Sequence, residues 1–186
     1  MKSLSAQLDE IFVLYEKFGS TCYEGEAVTQ VEHALQAAEL AEKEGASIPV
    51  VLGAFFHDIG HLVSMDKTTE ERWALKNHGD VGKEFLANHG FPLGVTELVA
   101  GHVSAKRFLV YQDKDYYNKL SSHSRYTLKL QGGAMVKDEA DLFKSSSSFN
   151  DIIRVRQWDE EAKDPEMQTK NLMYYRKMSE SYLKNL

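Results

Sequence analysis

The stretch that decides the fold reads PVVLGAFFHD and runs from Pro49 to Asp58. Residues 49–56 are apolar, and Pro49 suits the first turn of a helix, so the segment predicts a buried helix. Neighbouring side chains on a helix point about 100° apart, so His57 and Asp58 cannot both lie on one core face. Because both follow a buried segment, we expect them to point at something inside the protein. A buried pair of this kind needs a neutralising charge, which a metal ion commonly supplies.

The composition is that of an ordinary globular protein. The chain has 186 residues, of which 42% are hydrophobic and 27% are charged, and its net charge is −6. This length predicts a single domain over residues 1–186. The acidic balance argues against nucleic acid as a partner.

The sequence also carries signals about the compartment. A single cysteine, Cys22, excludes an internal disulfide and fits a reducing environment. The first residues have no signal-peptide pattern, and no apolar run is long enough to span a membrane. We therefore expect a cytoplasmic protein without a membrane partner.

The spacing of apolar residues predicts an all-α fold with negligible strand signal. We expect helices over 4–18, 28–44, 49 to the His57-Asp58 pair, 77–89, 93–104, 149–163 and 166–184. The polar segment 64–76 is predicted to be a loop, and Gly132-Gly133 a turn.

Further potential ligands accompany the His57-Asp58 pair, each on or at the end of a predicted helix. In chain order the full set is His33, His57, Asp58, His78, His102 and Asp159. Imidazole nitrogens and carboxylate oxygens together suit iron, manganese or zinc. With an aspartate in the middle, the six side chains suit two ions bridged by Asp58, with positions left open for substrate. His89 and His123 are set apart, the first as a helix-end residue and the second as a solvated one.

In this order the six residues resemble the HD-domain superfamily in its two-metal form. The resemblance implies a helical bundle with a buried dinuclear metal site. It implies that His33, His57, Asp58 and Asp159 bind one ion, and that Asp58, His78 and His102 bind the other. The superfamily includes phosphohydrolases, cyclic-dinucleotide phosphodiesterases and di-iron oxygenases, so the pattern alone leaves the reaction open.

Further stretches resemble a narrower group, the PhnZ-like phosphonate-cleaving di-iron oxygenases, over about residues 23–163. They are Tyr23–Glu26, His57–His61, His102–Arg107, Ser124–Gly133 and Arg154–Asp159. The resemblance implies two irons in the Fe2+/Fe3+ state. It also implies a lid in which Glu26 accompanies Tyr23, and Tyr23 occupies a metal position until substrate displaces it. The implied substrate contacts are His61, Lys106, Ser124, Thr127 and Gln131.

The residue types agree with a phosphonate, whose dianion needs charge-assisted hydrogen-bond donors. Ser124, Thr127 and Gln131 would share one helix face. Other interpretations remain open from the sequence. Lys106 could belong to a solvated face, Ser124 could cap a helix, and Tyr23 could be a packed aromatic.

The resemblance implies that O2 is used to cleave the carbon–phosphorus bond of a 1-hydroxyphosphonate. The first expectation is 2-amino-1-hydroxyethylphosphonate, which would give glycine and phosphate. The trimethylammonio analogue, which would give glycine betaine, is an alternative that favours an aromatic cage. Aromatic residues for such a cage stand at Phe108, Tyr111, Tyr116 and Tyr117.

Two other classes of function remain open. One is a metal-dependent phosphohydrolase of the HD type, against which the Tyr23–Glu26 stretch argues. The other is a metal-bound sensor or binding module without turnover, against which the complete ligand set argues.

Overall fold

The computed structural model describes residues 2–23, 25–67 and 70–186, and confirms the all-α class. Within these ranges the regular structure is helical, apart from one isolated bridge between Cys22 and Thr29. The helices are α1 (Leu4–Phe18), α2 (Gln30–Lys43), α3 (Ile48–Phe56), α4 (Ile59–Asp66), α5 (Glu71–Asn88), α6 (Leu93–Gln112), α7 (Lys114–Lys119), α8 (Ser122–Leu130), α9 (Lys137–Lys144), α10 (Phe149–Glu161) and α11 (Leu172–Lys184).

Helix α3 is the centre of the fold, as its apolar sequence predicts. Every residue from Val50 to Phe56 is buried, and the helix packs against α2, α6, α10 and α11. Phe12 of α1 packs against Phe55 and Phe56, with ring centroids 5.9 and 6.0 Å apart. Each fully buried aromatic side chain contributes about 1.5–3 kcal/mol through burial. The main core reaches from α1 to α11, while the single-domain organisation stays a prediction.

The chain bends between α3 and α4, and the bend explains the adjacent pair. The two helix axes differ by 44°. His57 keeps helical dihedrals, whereas Asp58 has φ −102° and ψ 9°, outside the helix. Both side chains therefore turn inward, with His57 0% and Asp58 8% exposed.

Among the described residues no single helix is long and apolar enough to cross a membrane, although α3 and α4 together pass that test by length and composition alone.

The predicted loop over 64–76 is wrong in most of its length, because α4 and α5 both extend into it. Ser64 continues α4 by donating its buried hydroxyl to a carbonyl one turn earlier, at 2.8 Å. Glu70 accepts a hydrogen bond from the Trp73 amide at 2.8 Å, as a residue that caps a helix does. Residues 68 and 69 lie outside the described part of the chain.

Candidate metal centre

The structure brings all six predicted ligand residues to one buried point. They come from α2, the α3–α4 bend, α5, α6 and α10, and none is more than 8% exposed. His33, His57, Asp58 and Asp159 offer ligand atoms within 4.8 Å of one another. The convergence is a finding, and the role of each residue as a ligand stays a prediction.

Backbone carbonyls fix the four histidines in one tautomer. Their Nδ1 atoms lie 2.8, 2.7, 3.0 and 2.6 Å from carbonyl oxygens, in the order His33, His57, His78 and His102. A carbonyl only accepts, so each Nδ1 carries a proton and each neutral ring offers a lone pair at Nε2. These Nε2 atoms meet in pairs, at 3.0 Å for His33 and His57 and at 2.9 Å for His78 and His102. When both rings of a pair are neutral their lone pairs repel, so each pair calls for a shared cation, either a proton or a metal ion.

Asp58 lies between the two histidine pairs. Its Oδ2 atom is 3.6 and 3.4 Å from the Nε2 atoms of His33 and His57. Its Oδ1 atom is 3.5 and 3.3 Å from those of His78 and His102. Oδ2 is buried without a hydrogen-bond partner among the described residues, which is unfavourable unless a cation binds there. One carboxylate thus faces two positions, each with a pair of histidine nitrogens, and His61 Nε2 lies 3.8 Å from Oδ1 beside the second.

The distances fit metal ions at both positions. A metal ion binds imidazole nitrogen at about 2.1 Å, so two nitrogens at a right angle around it lie about 3.0 Å apart. Asp159 adds a second carboxylate to the first position, with Oδ1 3.3 Å from His33 Nε2 and 3.7 Å from His57 Nε2. The donor set suits iron, manganese or zinc, and by itself does not choose among them.

The charges of the centre support cation binding. Burial alone would raise the pKa of Asp58 and Asp159, but neighbouring positive groups hold both pKa values well below the usual range. Burial also opposes charge on His57, yet Asp58 and Asp159 raise its pKa to about 10. Burial lowers the pKa of His61 to about 4, so this ring stays neutral beside the centre. Two ionised carboxylates therefore attract positive charge to this point.

Predicted anion-binding residues lie beside the metal cluster. Lys106 is only 5% exposed, and its Nζ donates to Thr127 Oγ1 at 2.8 Å, which excludes the solvated-face interpretation. Burial and the nearby positive charge of Arg156 lower the pKa of Lys106 to about 7. A small cavity lies beside the metal cluster, and Lys106, Ser124 and Thr127 line it. The residue that caps α8 is Ser121 rather than Ser124.

Two further residues line this cavity, and the sequence had not indicated either of them as a site residue. Arg156 is 4% exposed and contacts Asp159, three residues later on α10. The i to i+3 spacing was a signal that could have identified it. His123 is partly buried, with its ring 6.5 Å from that of Tyr23, so its assignment as a solvated residue is wrong. Helix α8 carries His123 and brings its Cβ close to Gly25 on the α1–α2 loop.

Tyr23 covers the metal cluster from the loop between α1 and α2. Its ring stacks on the His33 imidazole, with centroids 4.0 Å apart and an interplanar angle of 18°. Burial and the negative charges of Asp58 and Asp159 raise the pKa of the Tyr23 phenol well above its usual value. Tyr23 therefore covers the cluster, and its role as a lid stays a prediction. Glu24, its neighbour, is outside the described residues.

His61 lines the cavity too, with its ring stacked on that of His78 at 4.1 Å. Glu26 and Gln131 are absent from the lining. The Glu26 carboxylate pairs with Lys163 Nζ at 2.7 Å. Gln131 donates from Nε2 to the Leu75 carbonyl at 3.1 Å. Their roles as lid residue and substrate contact stay predictions.

The aromatic residues considered for a cage lie elsewhere. Phe108 belongs to a second core cluster, Tyr111 is exposed, and Tyr116 bonds to Arg156 behind the site. Apart from histidines, Tyr23 is the only aromatic residue lining the cavity in the described part of the chain. Among the described residues, the cavity therefore has no aromatic cage.

The cavity is too small for a phosphonate. Its volume is about 20 Å³, which accommodates about one water molecule. Tyr23 stands on a loop, whereas the other described lining residues lie in helices or at the α3–α4 bend. Loops move at lower cost than packed helices, so Tyr23 is the part of the lining that can open.

Comparison with known proteins gives consistent matches. The family described as HD domain matches residues 31–145. The [1-hydroxy-2-(trimethylamino)ethyl]phosphonate dioxygenase (glycine-betaine-forming) of Leisingera caerulea is 38% identical over 171 residues, covering 89% of this chain and 84% of that protein. The hydroxymethylphosphonate dioxygenase of Gimesia maris is 36% identical over 187 residues, covering 99% and 92%. Uncharacterized protein L432 of Acanthamoeba polyphaga mimivirus is 36% identical over 185 residues, covering 98% and 84%.

Proposed function

This chain belongs to the HD domain family, and we propose that it is a di-iron oxygenase that cleaves the carbon–phosphorus bond of a 1-hydroxyphosphonate. The observation that carries the proposal is Asp58, whose two oxygens face two separate pairs of histidine nitrogens. The two relatives whose names describe phosphonate dioxygenases support the class of reaction.

We assign six residues to the metals. The first ion would be held by His33, His57, Asp58 and Asp159, and the second by Asp58, His78 and His102. An iron pair in the Fe2+/Fe3+ state would supply the one-electron chemistry with O2 that amino-acid side chains cannot. The protein itself would position the substrate, neutralise its charge and exclude water.

The phosphonate would bind beside the cluster. Lys106 contributes a buried amine that the arriving dianion would hold in its ammonium form, and Ser124 and Thr127 contribute hydroxyls from the adjoining helix α8. His61 contributes a neutral ring nitrogen, because burial keeps it uncharged. Charge-assisted bonds from these donors would fix the phosphonate, and with it the neighbouring hydroxyl-bearing carbon.

Tyr23 would act as a gate. It lies over His33 and closes the cavity to about 20 Å³. The arriving substrate would displace the ring and take its place, which admits O2 only when a substrate is present. We propose that Glu26 moves with it, because its amide bonds to the Tyr23 carbonyl at 2.9 Å.

We keep 2-amino-1-hydroxyethylphosphonate as the first substrate, with glycine and phosphate as products. The trimethylammonio analogue ranks below it, because Tyr23 is the one non-histidine aromatic side chain among the described residues that line the cavity. Hydroxymethylphosphonate, named for one relative, is the smallest member of the class and belongs in the same test.

The experiment separates oxidation from hydrolysis. Protein loaded anaerobically with Fe2+ is mixed with each of the three hydroxyphosphonates, and O2 is then admitted. Phosphate release in equimolar proportion to O2 uptake is expected, with none before O2 is added. Phosphate released without O2 would replace the proposal by metal-dependent hydrolysis.

Matched variants connect this activity to the site. Asp58→Asn is expected to release no phosphate, because its amide lacks the charge shared by both positions. Asp66→Asn changes an aspartate at the end of α4 that pairs with Lys17 at 3.6 Å, away from the cluster, and should behave like the wild type.

A further inference from the structure

Arg156 is a buried cation that contacts three groups at once. Its Nη1 donates to Asp159 Oδ2, its Nη2 lies 2.8 Å from Glu160 Oε1, and its Nε donates to the Tyr116 hydroxyl at 3.1 Å. Asp159 and Glu160 follow at i+3 and i+4 on α10, so both share a helix face with the guanidinium. Tyr116 reaches it from another helix, α7.

The contact with Arg156 gives the two oxygens of Asp159 different partners. Oδ2 is occupied by the guanidinium. Oδ1 faces the first metal position, 3.3 Å from His33 Nε2 and 3.7 Å from His57 Nε2. A carboxylate held in this way would offer one oxygen to the ion rather than two. Groups that orient a ligand from behind typically change metal affinity by about 10- to 100-fold.

Tyr116 fixes the guanidinium from the opposite side. Its hydroxyl accepts from Arg156 Nε and donates to Glu160 Oε1 in a short contact. A guanidinium is planar and rigid, so holding Nε at the Tyr116 hydroxyl restricts where Nη1 points. A lysine ammonium has no such fork and could not transmit this orientation.

From these contacts we infer that Tyr116 and Arg156 are positioning residues for the first metal: Tyr116 orients Arg156, and Arg156 orients the Asp159 carboxylate. The inference rests on the part of the proposed function that places metal ions at this cluster. This role also accounts for α7, a helix with no buried residue that adds little to the core.

The test measures metal affinity rather than turnover. Metal-depleted full-length protein is titrated anaerobically with Fe2+ in competition with a coloured chelator. Tyr116→Phe removes only the hydroxyl and should raise the Kd of one of the two bound ions by about two- to tenfold. Arg156→Lys keeps the charge but loses the planar pair of guanidinium donors. It should raise the Kd of the same ion by about 10- to 100-fold.

A control variant and a double variant test whether the change in affinity comes from the contact between Tyr116 and Arg156. Tyr117→Phe removes a neighbouring hydroxyl on α7 and should leave both affinities unchanged. In the Arg156→Lys background, Tyr116→Phe should add little, because the two residues act through one contact. The second ion should keep its wild-type affinity in all of these proteins.

Some results would overturn the inference. Wild-type affinity for both ions in Tyr116→Phe would contradict it, as would equal weakening of both ions. A lowered melting temperature of metal-free Tyr116→Phe with unchanged affinities would show a purely structural role. If Arg156→Lys does not fold, Tyr116→Phe still decides the matter, since it retains the guanidinium. A wild type that binds no metal would instead overturn the proposed function, and this inference with it.

Discussion

Asp58 offers the sharpest test of the centre, because its two oxygens face different histidine pairs. Oδ2 lies within 3.6 Å of both nitrogens of one pair, and Oδ1 within 3.5 Å of both nitrogens of the other. Asp58→Asn keeps the side-chain shape and removes the negative charge. We expect this variant to lose both ions, whereas Asp159→Asn should lose only the first.

The expected change in thermal stability follows from the number of ions that each protein binds. An ion present at 100 times its Kd, and bound only by the folded state, stabilises the protein by about 2.7 kcal/mol. Two such ions contribute about 5 kcal/mol, and for a chain of this size each kcal/mol shifts Tm by about 2–4 °C. Metal addition should therefore raise the wild-type Tm by about 10–20 °C. The shift should be about half as large for Asp159→Asn and close to zero for Asp58→Asn.

The assay is thermal unfolding of each protein with and without Fe2+ under anaerobic conditions, together with metal content after gel filtration. Each variant is compared with its own metal-free form, so changes in metal-free stability cancel. Asp66→Asn serves as the control and should keep the full shift. An Asp58→Asn protein that retains both ions, or even one at wild-type affinity, would refute the shared position of this carboxylate.

Three shorter predictions follow from single contacts. Tyr23→Phe should bind iron normally but change the absorption spectrum of the substrate-free enzyme; an identical spectrum would rule out the phenol as a ligand. Gly60→Ala would place a Cβ 1.9 Å from the His78 carbonyl oxygen, so denaturant titration should show a loss of about 3 kcal/mol or more, while Gly94→Ala, with nothing within 4 Å, should lose none. Lys106→Met should raise KM for the phosphonate by about 10- to 100-fold, as expected for a lost charge-assisted bond, and an unchanged KM would contradict its contact with substrate.

Residue type and order in the sequence were enough to predict the helical class and the set of residues that meets at the centre. The apolar run before His57 predicts a buried helix, and a buried histidine beside a buried aspartate requires compensating charge. Both are local properties, and the structure places the pair inside as expected. The loop prediction for 64–76 fails because polar composition does not reveal the helix cap at Glu70 or the buried hydroxyl of Ser64.

Tertiary structure alone decided how these residues are arranged. His57, His78 and His102 each donate to a carbonyl three residues earlier in their own helix, whereas His33 donates to the carbonyl of Ala162, far away in sequence. The inward position of His123 and the link from Tyr116 through Arg156 to the centre also come from separate helices. Sequence periodicity reports which face of a helix is apolar. It carries no information on which atoms of distant elements meet, and those meetings determine the tautomer of His33, the orientation of Asp159 and access to the centre.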